Sequence, residues 1–249
     1  MEYIAATFRY RSILLTGATT FLGSVALEQL IRVFGNDITR CYVLLRGQSA
    51  ASAQERLSHL LASDLFSVVR EQRKEALRKV EAVDGDITQP GLGLSEKDTQ
   101  RLADVSVVIH CAAKIRLFDT IHDLLNANYI ATRNLLDFTV ARLPHVVAFV
   151  HTSSTSVGFG LPSGSTLEEV VYPLHLNDAP VDDARLASEL LSMEPHAADV
   201  AANHLVRRWG LRVPYALTKR LAELLVQRYH EQGLPCAIVR PSNIVAVAG

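Results

Sequence analysis

Six short apolar runs punctuate the chain: Ser12–Leu15, Cys41–Leu45, Val80–Val83, Val105–His110, Val146–His151 and Cys236–Val239. Most are continuous rather than alternating, the pattern of strands buried on both faces of a parallel sheet. Between them the apolar period changes. Leu27, Leu30, Ile31 and Phe34 recur at helical spacing and so share one face, and Leu57, Leu60 and Leu61 do likewise. Leu124, Leu125, Leu135, Leu136 and Val140 extend the pattern along a longer helix. Such alternation predicts βαβ units with right-handed crossovers, hence an α/β fold with a doubly wound parallel sheet and helices on both faces.

The segment Gly158–Val213 interrupts this rhythm. It carries Pro162, Gly164, Pro173, Pro180 and Pro195, with helices expected near Asp182–Ser192 and Ala197–Trp209. A helical insertion of that length, placed between a strand and the next core helix, either covers a site or serves as a structural cap. We find no repeats and no low-complexity tract.

Composition narrows the function classes. The 249 residues suit one large domain, spanning 1–249, or a domain with a small partner lobe, and the 49% apolar and 20% charged shares are those of an ordinary globular core. A formal net charge of −1 gives no reason to expect nucleic acid as a partner. Cys41, Cys111 and Cys236 lie far apart in or beside apolar runs and read as small hydrophobes. The nine histidines show no metal-ligand spacing, so no metal is expected. The N-terminus lacks the apolar core of a signal peptide, and no run approaches the ~20 residues of a membrane span. These features predict a soluble intracellular chain.

The first strand runs into "TGATTFLG" and then a helical pattern, the strand–turn–helix order of a Rossmann-like dinucleotide fingerprint. Gly17 suits the tight turn and Gly23 close packing of helix on sheet. Thr19, Thr20, Phe21 and Leu22 lie where backbone N–H groups meet a pyrophosphate. Thr20 takes the place of the usual middle glycine, in the first helical turn, where its side chain crowds the phosphate or hydrogen-bonds it. After the second strand stands Arg46, whose guanidinium suits the 2′-phosphate of NADPH where an acid would suit NADH. Asp86 and Ile87 follow the third strand, where they flank an adenine or, for Asp86, cap a turn. Ala112 and Ala113 follow the fourth and leave room for a cofactor. His110 beside them reads as a core histidine.

"YALTK" places Tyr215 and Lys219 four apart on a helix, hence on one face. A cation beside a phenol lowers its pKa from about 10, fitting it to protonate a carbonyl oxygen as hydride arrives. The fifth strand leads into "HTSSTSVG", where Ser154, or failing it Ser153, is the candidate to hydrogen-bond that carbonyl. Asn128, mid-helix, is placed to bend the helix, hold a water or orient Lys219.

Together these residues resemble the extended short-chain dehydrogenase/reductase superfamily, and within it the fatty acyl-CoA reductases of male-sterility type. "ILLTGATTFLG", "YVLLRG", "SAQERL", "GDITQPGLGLSEKD", "VIHCAAKIRLFD", "NYIATRNLLD", "FVHTSST", "EEVVYPL", "YALTKRLAE" and "AIVRPSNI" follow in that family's order over nearly the whole chain. The resemblance implies NADPH-dependent reduction of a long-chain fatty acyl-CoA to an alcohol through an aldehyde. Tyr215, Lys219, Ser154 and Asn128 would be the catalytic set. It also implies peripheral association with endoplasmic reticulum or peroxisome membranes. Three departures stand out: Thr20, Ala131 in place of a glycine, and the lack of the family's C-terminal substrate lobe. The alternatives are a carrier-protein thioester reductase and a catalytically inactive NADP-binding relative.

Overall fold

The apolar runs form the strands that their pattern predicts. The computed structural model describes residues 6–47 and 52–244. In chain order the first elements are β1 (Ser12–Thr16), α1 (Phe21–Phe34), β2 (Arg40–Leu45), α2 (Ala53–Ala62), α3 (Ser67–Gln72) and α4 (Lys74–Leu77). Next come β3 (Val80–Asp84), α5 (Glu96–Arg101), β4 (Val105–His110), α6 (Ile121–Leu125), a π-helical turn (Asn126–Ile130), α7 (Ala131–Arg142) and β5 (Ala148–Thr152). The insertion holds β6 (His175–Leu176), β7 (Ala179–Pro180), α8 (Asp183–Ser192) and α9 (Pro195–Arg208), and α10 (Pro214–Glu231) and β8 (Cys236–Val239) follow.

The main sheet is parallel and has six strands in the order β3-β2-β1-β4-β5-β8. Strand order reverses between β1 and β4, the place where open α/β sheets bind ligands beyond their carboxyl ends. β1, β2 and β4 are almost wholly buried. β3, β5 and β8 are not, and mix buried or half-buried positions with more open ones. For β3 and β8 the reason is position, since each is an edge of the sheet.

The chain forms two compact units. One runs up to Ala112 and includes Asp137–Val150; the other takes in Ala113–Leu136 and the chain from His151 onward. In the first, Ile13, Leu15, Val43 and Leu45 pack with Leu27, Ile31, Leu57 and Phe66 in one fully or almost fully buried cluster. Phe34 stacks on Phe8 with ring centroids 4.7 Å apart. In the second unit α6, α8, α9 and α10 pack on one another. Buried Leu124, Leu125, Ala187, Leu190, Ala198, Ala202, Leu217 and Leu221 supply their apolar faces.

Three expectations need correction. Val140 is 61% exposed rather than on the buried face. The π turn at Asn126–Ile130 closes with an Ala131 N–H to Asn126 C=O bond, five residues apart, which rotates the following helix out of phase with the preceding one. Helix α9 begins at Pro195, two residues before the expected start. The Glu194 carboxylate accepts the His196 and Ala197 N–H groups, and proline at the first helical position lacks the N–H that would need a partner. Helix α8 begins at Asp183, one residue after the expected start, because Asp182 is its N-cap and its carboxylate accepts the Arg185 N–H.

Candidate active site

In the first unit β1 ends at Thr16, and Gly17 turns the chain with φ +76°. A Cβ at Gly17 would lie 2.4 Å from the Ala112 amide nitrogen, so only glycine lets the loop pass the end of β4. Beneath the turn, the Thr16 hydroxyl and His110 Nδ1 are hydrogen-bonded at 2.7 Å. His110 is almost completely buried, a core histidine tying β1 to β4.

Thr20 is not in the first helical turn. It is the N-cap, with extended backbone (φ −80°, ψ 161°). Its hydroxyl donates to Gly17 C=O at 2.8 Å and accepts the Gly23 N–H at 3.1 Å. Both bonds of the hydroxyl lie within the loop. The Phe21 and Leu22 N–H groups have no partner among the described residues. No acidic residue lies in the first turn. Two unpartnered amides at the positive end of a 14-residue helix fit one pyrophosphate.

Along the same carboxyl edge of the sheet the unit carries a cleft of about 600 Å3 at the ends of β2 and β3. Arg46 lies on it, largely exposed, with its guanidinium 3.5 Å from the Asp86 carboxylate. Partial burial works to raise the Asp86 pKa, but the Thr88 N–H and hydroxyl together with Arg46 outweigh it and hold the carboxyl below its usual range. Asp86 thus caps the turn at Thr88, as one of its two sequence readings anticipated. Asp84 accepts the Gly47 N–H at 2.8 Å, closing the strand ends on each other. Ile87 and Ala112 are half-buried, and Thr19 is exposed.

The second unit holds the candidate reactive group. Tyr215 and Lys219 lie on the first turns of α10 and are buried, Lys219 to 1% exposure. Lys219 Nζ donates to the Thr152 carbonyl at 2.6 Å. The Ser154 and Tyr215 hydroxyls are hydrogen-bonded, and Ser154 Oγ also accepts the Ser156 N–H at 3.1 Å. Burial pushes the Tyr215 phenol above its ordinary value, and the Ser154 hydrogen bond only partly offsets this. That reverses the expectation of a phenol lowered by Lys219, because desolvation of the phenolate is the larger effect. Of the two serine candidates, Ser154 is the one joined to Tyr215. Ser153 is buried with its hydroxyl unpartnered among the described residues.

Asn128 is buried in the π turn. Its Oδ1 accepts the Lys114 N–H at 2.8 Å, and its Nδ2 donates to the Lys114 carbonyl at 3.1 Å and to Thr218 Oγ1 at 3.1 Å. Asn128 therefore pins the stretch beside Ala113 to the residue preceding Lys219. Lys114 and Thr218 were not legible as site residues, since one takes part through its backbone and the other only through Asn128. A second network also escaped the sequence. Tyr129 donates to Asp183 at 2.6 Å, and Arg228 donates to the same carboxylate oxygen at 2.7 Å.

Among the described residues no group of three or more His, Cys, Asp or Glu side chains is placed to hold a metal ion. No described helix is long and apolar enough to cross a membrane. Cys41 and Cys111 are buried and Cys236 is half-buried, and among the described residues none forms a disulfide.

Comparison with known proteins agrees with this geometry. The chain is 33% identical over 247 residues to fatty acyl-CoA reductase 2 of Homo sapiens, covering 99% of this chain and 45% of that protein. It is 35% identical over 248 residues to fatty acyl-CoA reductase 1 of Mus musculus, with the same coverage. The chain thus spans about half the length of these curated relatives. Among solved structures, the terminal R domain of the myxalamid PKS-NRPS pathway superposes with a TM-score of 0.62 at 28% identity, covering 94% of this chain and 49% of that one. The reductase domain of a nonribosomal peptide synthetase from Mycobacterium tuberculosis gives 0.58 at 25% identity, covering 94% and 48%. The family described as "Male sterility protein", one of nicotinamide-nucleotide-binding domains, matches residues 15–248, and the chain belongs to it.

Proposed function

We infer that the chain is the reductase core of an NADPH-dependent fatty acyl-CoA reductase. The observation that carries this reading is the hydrogen-bonded Ser154–Tyr215 pair, with Lys219 on the same helix face. When bound, NADPH supplies hydride for two reductions, thioester to aldehyde and aldehyde to alcohol. Gly17 and Gly23 shape the phosphate loop, and the Phe21 and Leu22 N–H groups hold the pyrophosphate. Arg46 reads the 2′-phosphate, selecting NADPH over NADH. Tyr215, a phenol and so protonated at neutral pH, donates its proton to the oxygen of the carbonyl under attack. Ser154 fixes the phenol and shares the developing oxyanion. The resulting hemithioacetal loses its thiol to leave the aldehyde. Lys219 holds the ribose side of the site, and Asn128 fixes the backbone around it.

The solved neighbours favour a second reading, in which the thioester arrives on a carrier protein. Both share one site chemistry and differ in what bears the acyl group. The test is NADPH consumption by the purified chain with long-chain acyl-CoA and with acyl-carrier protein. Turnover that is selective for NADPH and abolished in Tyr215→Phe supports the reductase. NADPH binding with no turnover of either thioester overturns it in favour of a non-catalytic relative.

A further inference from the structure

Four arginines are grouped around α10, and three are spent on protein acceptors. Arg220 donates to the carbonyls of Val157 and Tyr172. Arg228 pairs with Asp183, and Arg240 makes a two-pronged pair with buried Glu223. Arg212 is different. No described carboxylate lies within ion-pair distance of its guanidinium, which instead sits over the Phe159 ring, 5.3 Å from the centroid. An aromatic face orients a guanidinium without neutralising it.

Arg212 also lines a cleft of about 370 Å3. Phe159, Leu161, Pro162 and Leu167 supply its apolar lining, Thr155, Ser163 and Ser165 its hydroxyls, and no acidic side chain borders it. Its lining segments begin directly after Ser154 and end three residues before Tyr215. They are held together by backbone. A Cβ on Gly160 would lie 2.3 Å from the Trp209 carbonyl oxygen, so the two segments meet with no side chain between them. Arg212 itself has φ +66°, a left-handed conformation that an arginine rarely adopts and that concentrates at functional positions.

We propose that this cleft receives the phosphopantetheine arm of the thioester, with Arg212 pairing its phosphate. The inference rests on the thioester-reductase reading and deepens it. A trough of apolar side chains and hydroxyls with one unneutralised guanidinium matches an uncharged arm that carries amides and ends in a phosphate. The arm is common to acyl-CoA and to acyl-carrier protein, so Arg212 serves either donor. The aldehyde formed in the first reduction has lost the arm and owes nothing to Arg212.

The test uses Arg212→Asn, which removes the charge with a residue that tolerates a left-handed backbone, beside Arg212→Lys. For Arg212→Asn, KM for acyl-CoA rises about tenfold with kcat little changed, the loss expected for one charge-assisted contact. KM for a long-chain aldehyde, and for the acyl thioester of N-acetylcysteamine, stays within about twofold. Arg212→Lys recovers part of the loss. A parallel rise for all three substrates, or no rise for acyl-CoA, overturns the assignment. Calorimetry with 4′-phosphopantetheine and with pantetheine gives the same contrast without turnover. The unaltered chain prefers the phosphorylated arm and Arg212→Asn does not. A chain that shows this preference but reduces nothing fails the reductase reading and keeps this one; equal binding of the two arms refutes it.

Discussion

Replacing Thr20 by alanine isolates the capping role that the structure gives this residue. The hydroxyl makes two bonds, to the Gly17 carbonyl and from the Gly23 N–H. Alanine removes both, and alanine at an N-cap costs about 1 kcal/mol, within a range of ~0.5–2. For a chain of this length that lowers the Tm by roughly 2–4 °C. Serine should restore the loss, and glycine should cost only a few tenths of a kcal/mol. Thermal unfolding followed by circular dichroism reads the global effect. Amide exchange at Gly23 reads the local one, with exchange in Thr20→Ala faster by about fivefold, the factor that ~1 kcal/mol represents. The same logic covers the cofactor. The Phe21 and Leu22 N–H groups are available whether or not the hydroxyl is present, so Thr20→Gly should bind NADPH within about threefold of the unaltered chain, less than one hydrogen bond is worth. Unchanged Gly23 exchange in Thr20→Ala would refute the cap. NADPH binding more than tenfold tighter in Thr20→Gly would return the residue to the crowding role that its sequence position suggests.

Tyr129→Phe removes a hydrogen bond to a carboxylate that is almost fully buried, and should cost about 1.5–3 kcal/mol in urea unfolding. A loss under ~0.5 kcal/mol would mean that Arg228 alone satisfies Asp183. Glu223→Gln leaves Arg240 without its carboxylate partner in a buried pair, with an expected cost of about 3–5 kcal/mol and weakened anchoring of the carbonyls of Glu168 and Val170. Limited proteolysis near those two residues would register that loosening. The Cys41 thiol is fully buried, and desolvation raises its pKa from 9.0 to about 12. The unfolded chain ionises first, so this contribution to stability is complete below pH 9 and is lost as pH rises toward 12. By pH 10.5 it amounts to about 2 kcal/mol. A urea midpoint that does not fall between pH 8 and 10.5 would contradict this.

The strands were legible because β1, β2 and β4 are buried on both faces, which leaves continuous apolar runs that no surface helix would show. Tyr215 and Lys219 were legible because a spacing of four fixes a shared helix face. What escaped depends on contacts that spacing does not encode. Val140 was misplaced because a π turn carries no distinct apolar signature. Pro195 reads as a breaker, yet it begins a helix once Glu194 caps it. Tyr129 and Asp183 are 54 positions apart, and nothing in either local stretch marks the other as partner. Thr20 shows a subtler limit. Its place in the motif was readable, whereas the direction of its hydroxyl depends on where the Gly17 carbonyl lies.

The reactive group owes its geometry to a match between two repeats. Along the extended chain leaving β5, the two-residue step from Thr152 to Ser154 covers about 6.6 Å. Along α10, the four-residue step from Tyr215 to Lys219 rises about 6 Å. The strand end and the helix can therefore engage at both points at once, Thr152 with Lys219 and Ser154 with Tyr215. The two engagements do different work. The Thr152 carbonyl compensates a lysine that is almost wholly withdrawn from water, a position a cation tolerates only with an acceptor in place. The state of the Tyr215 phenol has another cause. Burial sets it, and burial raises the pKa. With or without that rise the phenol is protonated at neutral pH, the state that the proposed proton donor needs. The Ser154 hydrogen bond then eases the departure of that proton by favouring the phenolate. In the proposed reaction, desolvation thus disfavours the phenolate that proton transfer leaves, and the serine favours it. Both depend on one strand end keeping its register against one helix face.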